Sequence, residues 1–267
     1  MRRMLAAALG LGSLLGAGCG GRAALQRPAD YDTMVLVPAG PFTRGRDGSV
    51  ADEGPARTLH LDAFAIDRNE VTNADFKAFC DATGRLAPTN PMWDENYFFG
   101  QPTHPVVNIN YEQATAYCAW KGKRLPTEAE WEKAARGTDG RLYPWGNEWD
   151  AARANLKGEP FERTSPVGSL PAGASPYGVL DMAGNVWEWC SDWFDEGYYA
   201  IAPERNPAGP AAATPWRAVR GGGNSSPQSD AEVTNRSKAP PSQGIHHLGC
   251  RCAWSEKPPV PDAPKQP

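Results

Sequence analysis

The chain has no surplus of positive charge. Its 27 Lys and Arg stand against 31 Asp and Glu, a net charge of −4, so it projects no basic field toward nucleic acid. No pair of cysteines at zinc-ligand spacing has a matching second pair, and Cys250-Arg251-Cys252 is too tight for a metal knuckle. There is no serine-centred triad. Gly221-Gly222-Gly223 lacks the strand–helix setting and the lysine of a phosphate loop. Internal repeats and long linkers are also missing, which leaves residues 31–256 as one domain. The apolar run Met4–Leu15 is too short to span a bilayer as a mature helix.

What is abundant is Gly (28), Pro (26) and Trp (10). That composition suits a compact, turn-rich domain with large aromatics in its core, and not a helical bundle or a disordered chain. Arg2 and Arg3, the apolar run and the small residues after it have the layout of a secretory signal over residues 1–18. The stretch LLGAG ends in Cys19 and resembles a bacterial lipobox, with Gly16 where Leu is more usual. Lipidation of Cys19 is expected; ordinary cleavage near Ala17 is the alternative. Removing residues 1–18 takes away Arg2 and Arg3 and no acid, so −4 becomes −6. Residues 19–30 read as a tether, and 257–267 as an extended Pro-rich tail. Export permits disulfides, and five further cysteines, Cys80, Cys118, Cys190, Cys250 and Cys252, leave at least one unpaired within the chain.

Between those ends, MVLVPAG (34–40) reads as a strand ended by Pro and Gly, and HLDAFAIDRNEV (60–71) as a second. Three helices are predicted by their caps. Thr72 with Asp75 opens 72–84, Asn110 with Gln113 opens 110–122, and Thr127 with Glu130 opens 125–137; a glycine closes each. Glu128, Glu130 and Glu132 read as a solvated face near a helix N-terminus. Beyond 138 turns dominate, with strands expected in WEWCSDWF and WRAVRGG.

Several blocks then carry a specific resemblance: MVLVPAGPFTRG, DRNEVTNADFKAFC, PVVNINYEQATAYCAWKGKRLPTEAEWEKAARG, YPWGNEWD, SPVGSLPAGASPYGVLDMAGNVWEWCSDW, VRGGG and LGCRCAW. In this order, over nearly all of 31–255, they resemble the formylglycine-generating enzyme (sulfatase-modifying factor) family. The resemblance implies an irregular α+β fold related to C-type lectins. The family's oxidases convert a substrate cysteine to formylglycine and hold Cu(I) on two cysteines that follow an RGGS element. Here that element is Arg220-Gly221-Gly222-Gly223, and nothing from Ser191 to Gly249 is Cys. Asn224, Ser225, Ser226, Ser229 and Asp230 offer hard oxygens, which soft Cu(I) does not favour, so copper is not expected. By resemblance Cys118 pairs with Cys252. Cys190 and Cys250 read as core residues, with a bridge between them left open.

The resemblance implies calcium instead. Asp181, Gly184, Val186 and Glu188 match one structural site, as carboxylates and carbonyls of the kind calcium takes. Asn155, Leu156, Glu159 and Phe161 match a second less closely, because Glu159 stands where Asp is usual and the loop is short. Trp187, Arg220, Gly221, Gly222 and Gly223 match the substrate groove, though Arg220 also reads as a partner for the chain's acids. His246 and His247 read as a solvated loop pair whose rings face opposite ways. The expected function is a non-catalytic binding or structural module for an envelope protein or peptide, membrane-anchored through Cys19, in the periplasm or at the cell surface. A formylglycine-generating oxidase is the alternative.

Overall fold

The computed structural model describes residues 26–157 and 163–260. The expectations for the signal, Cys19, Glu159, Phe161 and the end of the tail lie outside these residues. Short apolar runs bounded by Pro and Gly give short strands. β1 (Val35–Val37) stops at Pro38, and β2 (Gly40–Arg44) pairs antiparallel with β3 (Arg57–Leu61), Gly40 opposite Leu61. β4 (Phe64–Ile66) pairs antiparallel with β1, Val35 opposite Ile66. The stretch 60–71 is therefore two strands in different sheets rather than one. The break falls at Asp62, whose N–H donates to Asn206 Oδ1 (2.8 Å) instead of to a neighbouring strand.

Helices α1 (Asn73–Thr83), α3 (Tyr111–Trp120) and α4 (Glu128–Arg136) start where their caps predict, and α2 (Tyr97–Gly100) is a single turn. Thr72 Oγ1 accepts from the Asp75 N–H, and the Asn110–Gln113 and Thr127–Glu130 pairs are complete capping boxes. Gly84 ends α1 at φ 70°, a left-handed conformation that costs glycine nothing. β5 (Trp187–Trp193), the short α5 (Tyr198–Ile201), β6 (Arg217–Arg220), β7 (Ser237–Ala239), β8 (Leu248–Gly249) and β9 (Ala253–Trp254) complete the chain. β9 returns to the first sheet, ordered β1-β4-β9. The largest sheet is β7-β6-β5-β8, in which only the β5–β8 pair is parallel. Cys118 at the end of α3 is bonded to Cys252 just before β9, with Cα atoms 5.6 Å apart.

Two apolar clusters fill the interior. One gathers Phe42, Leu59, Phe64 and Trp131; the other gathers Phe76, Phe79, Tyr117, Trp189 and the disulfide. α4 lies between sheets, and this corrects the reading of its glutamates. Glu128, Glu130 and Glu132 are buried, at 2, 3 and 0 % exposure. Glu128 accepts from Arg236 (2.7 Å) and Arg220 (3.2 Å), and Glu132 from Arg220 (2.9 Å), Arg136 (3.0 Å) and the Gly45 N–H (2.7 Å). A helix clad in acids can be interior when arginines from β6 and the following loop arrive to pair with them.

Candidate functional site

β6 feeds directly into Gly221-Gly222-Gly223. Gly221 and Gly222 sit at φ 103° and 75°, where a Cβ would lie 3.2 Å from Trp131 and 3.0 Å from the Asp230 carbonyl. The chain thus folds back against its own frame, and Gly223 comes to rest between Trp187 and His247. Trp187 Nε1 and the Gly223 N–H both donate to Ser226 Oγ, at 3.2 and 3.1 Å. From there an aromatic strip runs through His247 and His246 (ring centroids 4.8 Å apart) to Trp93 (5.2 Å). The two histidines pack edge to face and do not diverge as expected. His247 Nδ1, Trp93 Nε1 and Asn224 Oδ1 are buried without a partner. Burial, with the charge of His246, holds the His247 imidazole below its ordinary pKa. Arg220, grouped with this groove in the sequence, has no exposed surface; it is clamped by Glu128, Glu132 and the Val233 carbonyl (2.7 Å). Trp93 comes from a loop that carried no motif.

The loops matching the calcium sites meet. Asn155 bridges Gly184, and its carbonyl accepts from the Asn185 N–H (2.7 Å). A Cβ on Gly184 would lie 2.4 Å from the Asn155 carbonyl oxygen, so only glycine allows this approach. Asn155 Oδ1 is buried and unpartnered, and the Leu156 side chain is packed in the interior. Asp181, at φ 56°, accepts from the Gly168 N–H (2.6 Å). Val186 is fully buried, and its N–H donates to Glu70 Oε1 (3.2 Å). Glu188 is held by Arg251 through both oxygens (2.7 Å each) and by Trp131 Nε1 (2.9 Å).

Glu70 belongs to this centre as well, and sequence reasoning assigned it nothing although it lies in the DRNEVTN block. It accepts from Asn185 Nδ2 (2.6 Å). Burial, together with the charges of Asp181 and Glu188, pushes its carboxyl well above the ordinary value. Burial likewise raises Asp181, against the pull of the Gly168 N–H and Arg251. Three buried carboxyl groups, Glu70, Asp181 and Glu188, are thus gathered near one guanidinium, that of Arg251. Among the described residues no group of three or more His, Cys, Asp and Glu side chains is gathered to hold a metal. A cation here would need carbonyl and amide oxygens beside any carboxylate, and the orphaned Asn155 Oδ1 fits that donor set.

The sulfatase-modifying factor enzyme 1-like domain matches residues 22–256. The chain belongs to that family. It is 36 % identical to a formylglycine-generating enzyme of Streptomyces coelicolor, over 85 % of this chain and 90 % of that one. It is 34 % identical to the inactive C-alpha-formylglycine-generating enzyme 2 of Mus musculus, over 88 and 89 %. Among solved structures it resembles PvdO from Pseudomonas aeruginosa, with a TM-score of 0.73, 31 % identity and coverage of 87 and 99 %. A relative named for the activity and a relative named as inactive thus both match most of this chain. Among the described residues the free thiols are Cys80, Cys190 and Cys250, all buried. Burial raises the pKa of each, most of all at Cys190 and Cys250, and disfavours the thiolate that would bind metal.

Proposed function

We propose that this sulfatase-modifying factor member is an exported, lipid-anchored, non-catalytic module that binds an envelope protein or peptide along the Trp187–Gly223 groove. One observation carries the reading. The segment after Arg220-Gly221-Gly222-Gly223 presents Ser226 Oγ to Trp187, among Asn224 and Ser225, and has no sulfur. Hard oxygens do not suit Cu(I), so the residues present do not fit the copper that the family's oxidases use. The free cysteines among the described residues, Cys80, Cys190 and Cys250, are buried. The half-buried rings of Trp93, His246 and His247 would offer an aromatic face to a bound chain instead.

Calcium is proposed as a structural ion. Asp181, Glu188 and the carbonyls of Gly184 and Val186 would hold one ion, and Asn155, Leu156, Glu159 and Phe161 the other. Its charge would offset the carboxylates gathered around Asn185.

The deciding experiment incubates the copper-treated protein with a peptide carrying Cys-x-Pro-x-Arg, beside an active formylglycine-generating enzyme. Mass spectrometry is expected to show the aldehyde only with the active enzyme. Turnover by this chain would overturn the reading in favour of an oxidase, for which the 36 % identity to the Streptomyces coelicolor enzyme is the supporting observation.

A further inference from the structure

On the far part of β5 a cavity of about 300 Å³ is walled by Tyr111, Trp193, Arg217, Pro210 and Pro259. Arg217 is its distinctive member. Its guanidinium lies between two rings, 3.4 Å from the Trp193 centroid and 4.1 Å from that of Tyr111. Nη1 donates to the Ser191 carbonyl (2.6 Å), while Nε is buried with no partner. Among the described residues no carboxylate forms an ion pair with Arg217. Arg124, in the same cavity, is ion-paired with Glu130 at 2.6 Å through two nitrogens. Asp192, the adjacent acid, is tied to the Glu128 N–H (2.9 Å) and Ser191 Oγ (3.2 Å). A partly buried guanidinium held over two aromatic rings, with no ion-pair partner, is a receptor for a carboxylate.

The other walls show what carries that carboxylate. Pro259 lies in the cavity wall and is half-buried, while Glu256, Lys257, Pro258 and Val260 around it are exposed. Tyr111 and Trp193, each packed on Arg217 through one face, line the cavity beside Pro210, an aromatic and proline wall of the kind that receives extended Pro-rich segments. The sequence continues Val260-Pro261-Asp262-Ala263-Pro264. Three extended residues cover about 9 Å, so Asp262 can reach a cavity that already includes Pro259. We infer that the Tyr111–Arg217–Trp193 cavity is a docking site for a proline-rich, carboxylate-bearing segment, and that its occupant is this chain's own residues 260–267.

The test uses chains of unchanged length and a synthetic VPDAPKQP peptide, followed by calorimetry. Replacing residues 260–267 with a Gly-Ser sequence frees the cavity. That chain is expected to bind the peptide saturably, at least about tenfold more tightly than the native chain, whose own tail competes. The same peptide with Asp262→Asn should bind about tenfold more weakly or not at all, and Arg217→Ala in the Gly-Ser chain should give the same loss. Because the Asp262→Asn change is in the ligand, the result stands even if the Arg217 variant folds poorly. Absence of saturable binding, equal binding of the Asn peptide, or equal binding by native and Gly-Ser chains would each overturn the inference.

Discussion

Asp192 sits at 2 % exposure in a β5 position that faces α4, where it caps the Glu128 N–H. Burial, reinforced by the neighbouring Glu128 charge, raises its carboxyl to about 7. Glu128 goes the other way: burial opposes its ionisation, but Arg236 and Arg220 overcome that and keep its carboxyl below the ordinary value. The sign of the consequence follows from proton counting. Between the unfolded value of 3.8 and the folded value of about 7, the folded chain keeps a proton that the unfolded chain has released. Stability from this group is therefore lost as pH rises through that window. Asp192→Asn removes the titration and keeps an acceptor oxygen for the Glu128 N–H. Its stability relative to the parent is expected to improve by at least about 1 kcal/mol on going from pH 5 to pH 8. Denaturant unfolding at the two pH values measures this, and a difference that does not change with pH would contradict it.

At the scale of elements, the loop 181–188 joins chemistry to frame. It sets Asp181 and Asn185 at positive φ, packs Gly184 on Asn155, and enters β5 at Trp187. If calcium binds here, saturating ion should raise the melting temperature by several degrees, since about 2.7 kcal/mol follows from a hundredfold excess over Kd. Asp181→Asn, which tolerates the left-handed backbone and still accepts from Gly168, should remove most of the gain, as should Asp181→Ala. Equal melting temperatures in chelator and in calcium would rule the ion out. The helical elements were legible because capping is local: Thr72, Asn110 and Thr127 each announce a helix from within four residues. The burial of α4 was not legible, because Glu128 and Glu132 are matched by Arg220 and Arg236, about 90 to 110 residues away. The split at Asp62 was hidden for the same reason, since its partner Asn206 lies 144 residues on. Within the groove, Trp187 and the three glycines could be named from motifs, whereas Trp93 could not, because nothing local marks the loop that brings it to His246.

The whole molecule is built by late strands returning to early ones. β9 pairs with β4, β8 lies parallel to β5, and the segment before β9 is tied back to α3. Such long-range closure makes the native state expensive in chain entropy. The Cys118–Cys252 bond spans 134 residues and removes part of that cost from the unfolded side. In the loop-entropy account it contributes about 4 to 5 kcal/mol, a large share of the stability of an ordinary domain. Both sulfurs are enclosed by the Phe76–Phe79–Tyr117 cluster, so serine pairs put there would also lose apolar contact. Cys118→Ala with Cys252→Ala isolates the cross-link better. That double variant is expected to unfold at markedly lower denaturant, by about 3 kcal/mol or more, while Cys190→Ala, which breaks no bond, loses only the packing of one small side chain. The comparison is made by equilibrium unfolding of the three chains at one pH. If the double variant lost no more than the Cys190 variant, the bond would not be what holds the returning strand, and the β4–β9 and β5–β8 pairings would have to close the fold by themselves.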